Sequence, residues 1–256
     1  MILKTPLTAA IITFNEERNI ERCLQSLQGV ADEIIVVDSF SKDKTEEICK
    51  HYNVRFIPHA FEGHIPQKNF ALDQATHDWV LSLDADEALT EDLKNSILEV
   101  MKNPVLQGYQ MNRLTNYCGT WIRYSGWYPD TKVRLVNRHH ARWTGINPHD
   151  RLEMTVKQPL GQLTGDLLHY SYYTRQDHLK QIEFFSTIAS KELFQRGKKV
   201  NRAIIFLKVI FQFLKNFVLK LGFLDGVAGW HIARLSAYAT YQKYSKLHRL
   251  YRDSKP

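Results

Sequence analysis

Asp84-Ala85-Asp86-Glu87 is the sharpest chemical signal in the chain, because it emerges from the apolar run Trp79–Leu83. Two carboxylates two residues apart at a strand end can share a hard divalent cation, directly or through a ribose contact. Mg²⁺ or Mn²⁺ prefers oxygen ligands and keeps positions open for substrate phosphates. The same residues also read as an acidic turn before a helix capped by Thr90. Asp38 closes the run Glu33–Asp38 (EIIVVD). An acidic residue at the end of an early strand holds a ribose or base through its acceptors, or else serves a turn. After the first apolar run stands Thr13-Phe14-Asn15-Glu16. No Gly-x-Gly-x-x-Gly stands there, which argues against a dinucleotide fold.

Three further groups carry candidate chemistry. Gln67-Lys68-Asn69 opens a helix, where a lysine beside N-terminal amides suits a diphosphate or a uracil edge; a solvated helix face is the alternative. His149-Asp150 lies in a segment read as a loop, Trp143-Thr144-Gly145-Ile146-Asn147-Pro148. Asp150 there is placed either to act as general base on an acceptor hydroxyl or to pair with Arg142 or Arg151. His169 ends the run Leu167-Leu168, a setting in which a lone histidine reads first as a satisfied core residue.

The elements that must position these groups alternate. Leu7–Thr13 is a β-branched run read as a buried strand. Ile20, Cys23, Leu24 and Leu27 form one face of a helix that Gly29 ends. Glu33–Asp38 is a second strand, and Ser41 is expected to cap a helix running to about Tyr52. A strand over 53–57, a helix with Pro66 in its first turn, the strand Trp79–Asp84 and the helix after Thr90 follow. This order predicts an α/β fold with a mostly parallel sheet flanked by helices. Ligands of such sheets bind beyond the carboxyl ends of the strands, where Thr13, Asp38, Asp84 and Asp86 fall. The stretch 108–169 reads as a mixed second half, and Arg175–Lys255 as wholly helical.

At 44% hydrophobic and 24% charged, the 256 residues suit a globular chain with a full core. The formal charge of +7 favours phosphate-bearing partners. Three distant cysteines argue against a disulfide framework or zinc site and fit a reducing compartment. The N-terminus lacks the pattern of a signal peptide, and no window suits a spanning helix. Along residues 203–223, Lys208, Gln212, Lys215, Asn216 and Lys220 form a polar stripe on an otherwise apolar helix. That pattern lies in a membrane interface or packs on the core. The basic tail adds attraction to anionic headgroups.

Taken together, these residues resemble glycosyltransferase family 2. The motifs are Thr13-Phe14-Asn15-Glu16, Val36-Val37-Asp38-Ser39, Gln67-Lys68-Asn69 and Asp84-Ala85-Asp86, in the family's order, over roughly residues 7 to 170. The second half resembles the bacterial lipopolysaccharide-core β-1,4-glucosyltransferases through Tyr128-Pro129-Asp130, Arg134-Leu135, Trp143-Thr144-Gly145, His149-Asp150, His169-Tyr170-Ser171-Tyr172 and Gly222-Phe223-Leu224-Asp225-Gly226. Where that subgroup usually has His-Glu, this chain has His149-Asp150.

The resemblance implies a GT-A catalytic domain over 1–174, and the pattern of residues 203–223 with the basic tail adds an amphipathic, basic, membrane-associating helical region over 175–256. It implies an inverting, metal-dependent hexosyltransferase using a UDP-sugar, with glucose the inferred sugar and Mg²⁺ or Mn²⁺ the ion. The implied donor-binding residues are Thr13, Asn15, Glu16, Asp38, Lys68, Asn69 and Asp84. Asp86 and His169 would ligate the metal, reversing the core reading of His169, and Asp150 would be the base. The implied acceptor is a lipopolysaccharide-core or other lipid-linked glycan, met by a peripheral protein at an anionic membrane surface on the cytoplasmic face of the inner membrane. Nucleic acid is not an expected partner. The rival readings are a metal-dependent nucleotidyltransferase, which should carry a basic glycine-rich loop after the first strand, and a non-catalytic nucleotide-sugar-binding scaffold at the membrane.

Overall fold

The computed structural model describes residues 4–146 and 149–254. They fall into two compact units: Met1–Arg113 with Asp130–Tyr170, and Leu114–Pro129 with Ser171–Pro256. The segment Leu114–Pro129 thus belongs with the C-terminal helices although it lies within the first part of the chain.

The first unit opens with β1 (Leu7–Thr13), α1 (Ile20–Leu27), β2 (Glu33–Asp38), α2 (Thr45–Lys50), β3 (Arg55–Pro58), α3 (His64–Gln74), β4 (Trp79–Asp84), β5 (Glu87–Leu89) and α4 (Glu91–Val100). Its later strands are β6 (Gly108–Tyr117), β8 (Asp130–Asn137), β9 (Ala141–Ile146), β10 (His149–Met154) and β11 (Gly161–Tyr172). The main sheet runs β3-β2-β1-β4-β8-β6-β11-β5. Strands β3, β2, β1 and β4 are parallel, while β4–β8, β6–β8 and β5–β11 are antiparallel. The sheet is therefore mixed: its parallel part is limited to the four strands that the early alternation encodes.

Alternation along β1 explains the layers. Leu7, Ala9 and Ile11 join a core with Ile20, Cys23, Leu24 and Leu27 of α1 and Leu93 and Ile97 of α4. Ala10 faces the other way, among Ala71 and Leu72 of α3 and Trp143 and Leu152 of β9 and β10. Cutting Leu24, which is fully buried, back to alanine would cost about 2–5 kcal/mol. Thr90 caps α4 as expected, its hydroxyl accepting from Leu93 N at 3.3 Å. Ser41 does not cap α2. Its hydroxyl is bound to Asp38, and Asp43 accepts from Thr45 N instead, at 3.0 Å.

The presumed loop around Asp150 is a two-stranded hairpin: β9 pairs with β10, and Asp150 lies opposite Gly145. Its glycine and proline made the segment read as a loop, but Trp143 and Leu152, directly opposite each other on the two strands, bury one face of it. Asn147 and Pro148 lie outside the described residues.

The second unit contains β7 (Thr120–Trp121), α5 (Arg175–Gln195), α6 (Arg202–Leu214), a π turn at Lys215–Leu219, a 3-10 turn at Gly222–Asp225 and α7 (Gly226–Asp253). The stretch expected to be wholly helical is thus three helices joined by short turns, and Lys255 lies outside the described residues. Thr174 and Asp177 form a capping box on α5. Asp225 binds Arg123 N at 3.0 Å and Ser125 Oγ at 2.8 Å, tying the segment Leu114–Pro129 to the start of α7.

The polar stripe of α6 is divided. Asn216 is buried and bonded to Gln212 (2.7 Å) and Ser236 (3.2 Å), whereas Lys208, Lys215 and Lys220 are exposed. Bulky side chains point outward: Phe206 is 65% exposed, Leu219 66% and Val227 75%. Among the described residues no helix is long and apolar enough to cross a membrane.

Candidate active site

The carboxyl ends of β1 and β2 carry a first polar group. Asp38, buried at the end of β2, accepts from Ser41 N at 2.8 Å and from its hydroxyl at 2.5 Å. That hydroxyl accepts from Asn15 N at 2.8 Å, and Asn15 Oδ1 accepts from Lys42 N at 2.8 Å. Asn15 holds φ of 55°, a left-handed turn that asparagine tolerates. Beside Asp38 in register is Thr13, whose Oγ1 is buried with no hydrogen-bond partner among the described residues. A buried hydroxyl left unpaired is costly, and this one has the chemistry to bind a sugar or base.

Glu16 follows on the same loop, held by Asn19 Nδ2 at 2.7 Å and by its own N–H to Thr45 Oγ1 at 2.8 Å. Burial pushes its carboxyl up to about 7. The Asn19 hydrogen bond opposes this, and the negative charges of Asp86, Asp43 and Asp84 add to it.

A second group centres on Lys68. Its ammonium lies 3.0 Å from Asp84 Oδ1 and 2.8 Å from Asp150 Oδ2, and 4.2 Å from the centroid of the Trp143 ring. Lys68 is therefore buried between two carboxylates under an aromatic face, not on a solvated helix surface. Arg134 reaches Asp84 Oδ2 at 3.4 Å and grips Glu87 at 2.9 and 3.2 Å. Glu87 also accepts from Asp84 N at 3.1 Å and from Arg113 at 3.4 Å. Burial alone would raise the Asp84 carboxyl, but Lys68, Arg134 and Arg113 outweigh it and hold the group well below the usual carboxylate range. Asn69 is spent on structure: its amide donates to Trp143 O at 2.9 Å and accepts from Trp143 N at 3.0 Å. It fixes β9 against α3.

Asp86 and His169 form the third group. β11 pairs with β5 so that His169 stands opposite Glu87, and Tyr170 N donates to Asp86 O at 2.9 Å. His169 Nε2 lies 3.2 Å from Asp86 Oδ2. Burial opposes ionisation of Asp86, but the imidazole's charge and hydrogen bond outweigh it and lower the carboxyl. A carboxylate oxygen and an imidazole nitrogen suit a divalent cation. Their spacing fits two adjacent ligands of an octahedral ion, which stand about 3 Å apart at bond lengths near 2.1 Å. Among the described residues no set of three or more carboxylate, histidine or cysteine ligands forms.

A sequence model described as Glycosyl transferase family 2 matches residues 8–156, a span holding nine of the ten expected site residues, His169 apart. An uncharacterized glycosyltransferase of Rickettsia typhi is 30% identical over 255 residues, covering 95% of this chain and 87% of that one. The chain belongs to glycosyltransferase family 2. A lipopolysaccharide core biosynthesis glycosyltransferase of Rhizobium meliloti is 27% identical over 269 residues, covering 96% of this chain and 95% of that one. Among solved structures the transferase is similar to S. aureus TarS, with 14% identity, 94% of this chain and 55% of that one covered, and a TM-score of 0.47.

The sheet flanked by helices is the expected GT-A architecture, mixed where a mostly parallel sheet was expected, and the long C-terminal helix is present in the glycosyltransferase as α7. Sequence reading assigned no role to Glu87, Arg113 or Arg134. The available signal was Arg134 as a lone charge inside the apolar strand Val133–Val136, since a buried cation needs a buried partner.

Proposed function

We propose that this glycosyltransferase moves a hexose, glucose in the first instance, from a UDP-sugar to a hydroxyl of a lipopolysaccharide-core or other membrane-linked glycan, with inversion. One observation carries the reading. Asp86, two residues beyond Asp84 at the end of β4, meets His169, while Asp84 shares one lysine with Asp150. In this reading Thr13 and Asp38 receive the nucleoside, Asn15 and Glu16 shape its loop, and Asp84 meets the ribose. Asp86 and His169 hold Mg²⁺ or Mn²⁺, which supplies neutralisation of charge on the leaving diphosphate. Lys68 fixes Asp150 through Oδ2, leaving Oδ1 to take the acceptor's proton. The freed oxygen attacks the anomeric carbon as the bond to the diphosphate breaks, the electron pair leaving with UDP. One displacement inverts the centre. A well-placed base contributes about 10²–10⁴-fold in rate.

The acceptor class is supported by the relation to the Rhizobium core-biosynthesis protein along almost the whole chain. The outward apolar side chains of α6 and the following turns support docking on a bilayer, at the cytoplasmic face of the inner membrane, where nucleotide sugars are available.

The test is a panel of UDP-sugars, each assayed for binding and slow hydrolysis with and without Mn²⁺, on wild type and Asp86→Ala. One donor turned over only with the ion, and lost in the variant, supports the proposal. Binding that neither the ion nor the variant alters would sink it and favour a scaffold.

A further inference from the structure

A cleft of about 770 Å³ opens between α6 and α7, far along the chain from every residue placed in the transfer site. Its lining includes Arg202, Ile205 and Phe206 from α6 and His248, Arg249 and Arg252 from α7. Arg252 Nε is engaged by Asp253 at 3.0 Å. Among the described residues no carboxylate pairs with Arg202, His248 or Arg249. From Arg196 to Asp253 the chain carries twelve Lys and Arg against two acidic residues, Asp225 and Asp253, so the occupant must be an anion. Guanidinium groups bind phosphate oxygens in a fork that lysine cannot reproduce. Phe206 lines the cleft and is also 65% exposed, standing in the apolar row that Leu207, Ile210 and Phe211 continue. Phosphate chemistry and a hydrocarbon surface thus meet at one opening.

We propose that this cleft seats the phosphate of an anionic phospholipid headgroup while the apolar row of α6 lies among the acyl chains. The inference rests on the membrane-docking part of the reading above and not on its transfer chemistry. It adds a defined site to what would otherwise be diffuse attraction. Diffuse attraction depends on charge count near the surface, about fivefold in affinity per cation. A built site depends on which cations are removed.

The experiment is co-sedimentation of the full chain with phosphatidylcholine vesicles, with and without phosphatidic acid. Wild type is compared with Arg249→Gln/Arg252→Gln and with Lys215→Gln/Lys220→Gln, which removes equal charge from outside the cleft. Circular dichroism verifies folding. The expected result is binding to phosphatidic acid vesicles that the arginine pair loses at least tenfold more severely than the lysine pair. Equal losses for the two pairs would overturn the cleft and leave the membrane reading standing. No binding to any vesicle would overturn both. Inorganic phosphate that displaces the vesicles at concentrations matching the lipid phosphate would identify a soluble phosphate ligand and overturn the lipid assignment. UDP-sugar hydrolysis should be the same in all three proteins, so failure of the donor-site reading is read separately.

Discussion

The ammonium of Lys68 lies 2.8 Å from Asp150 and 3.0 Å from Asp84, so one buried cation fixes two carboxylates that the sequence keeps 66 positions apart. Replacing Lys68 with methionine leaves both negative charges facing each other with Trp143 beside them. The expected loss is about 3–5 kcal/mol of stability, read by urea denaturation. Lys68→Arg, which keeps the charge, should retain a substantial part of it. A loss no larger than that of a surface lysine would show that the bridge is not formed in solution.

Asp86→Ala and His169→Ala should each weaken Mn²⁺ binding in the presence of UDP by at least about tenfold. Calorimetric titration gives the affinity, and turnover should fall with it. An unchanged Mn²⁺ affinity in both variants would remove the pair as ligands.

Arg134 and Glu87 are both buried, at 2.9 Å. Removing either alone, as in Arg134→Met or Glu87→Leu, should cost about 3–5 kcal/mol because a buried charge loses its partner. The double variant should cost less than the sum of the singles, and a cycle of chemical denaturation curves measures that coupling. Simple additivity would mean that each residue acts through its other contacts.

His178 predicts a pH dependence confined to the second unit. It lies among Tyr117, Trp127 and Tyr172, with Nδ1 3.3 Å from the Tyr117 hydroxyl. Burial pushes its imidazole down to about 4. The unfolded chain takes up this proton near the ordinary value of about 6.5. Between those values the unfolded state binds more protons at this group, so the contribution of His178 to stability falls on acidification from about pH 6.5 to about pH 4. The full effect is about 3 kcal/mol. Glu16, raised to about 7, contributes with the opposite sign to wild type and variant alike, so the check is the difference between them: denaturation curves should show wild type losing stability relative to His178→Gln on acidification, and a difference that does not vary with pH would refute the burial argument.

Short-range patterns were read well because their causes are local. The period of Ile20, Cys23, Leu24 and Leu27 gave α1, the β-branched runs gave β1 and β2, and Thr90 capped α4. What failed depended on distant partners. Ser41 had the chemistry of a helix cap, but the buried Asp38 claims its hydroxyl first. Asp150 sits on a strand because Trp143 and Leu152 bury the hairpin, a fact that glycine and proline content hides. Lys68 read as either surface or phosphate ligand, since nothing near it announces Asp84 or Asp150. Gln212 and Asn216 shared a stripe with three lysines, yet amides can pair with Ser236 in the interior, whereas the lysines stay exposed. The carboxylates Asp38, Asp84 and Asp86 were legible as a set because topology alone brings them to the carboxyl ends of β2 and β4; the place of Asp150 beside Lys68 and the clamp of Glu87, Arg113 and Arg134 were not.

The pairing of His169 with Glu87 across β11 and β5 has an evolutionary consequence. Strand side chains alternate faces, so inserting or deleting one residue in β11 before His169 would turn the imidazole to the opposite side of the sheet. A change of two would restore the face but carry the ring about 7 Å along the strand, out of reach of Asp86. Descendants of this protein are therefore free to vary the composition of β11 far more readily than its length, and insertions should accumulate in the turns that flank it.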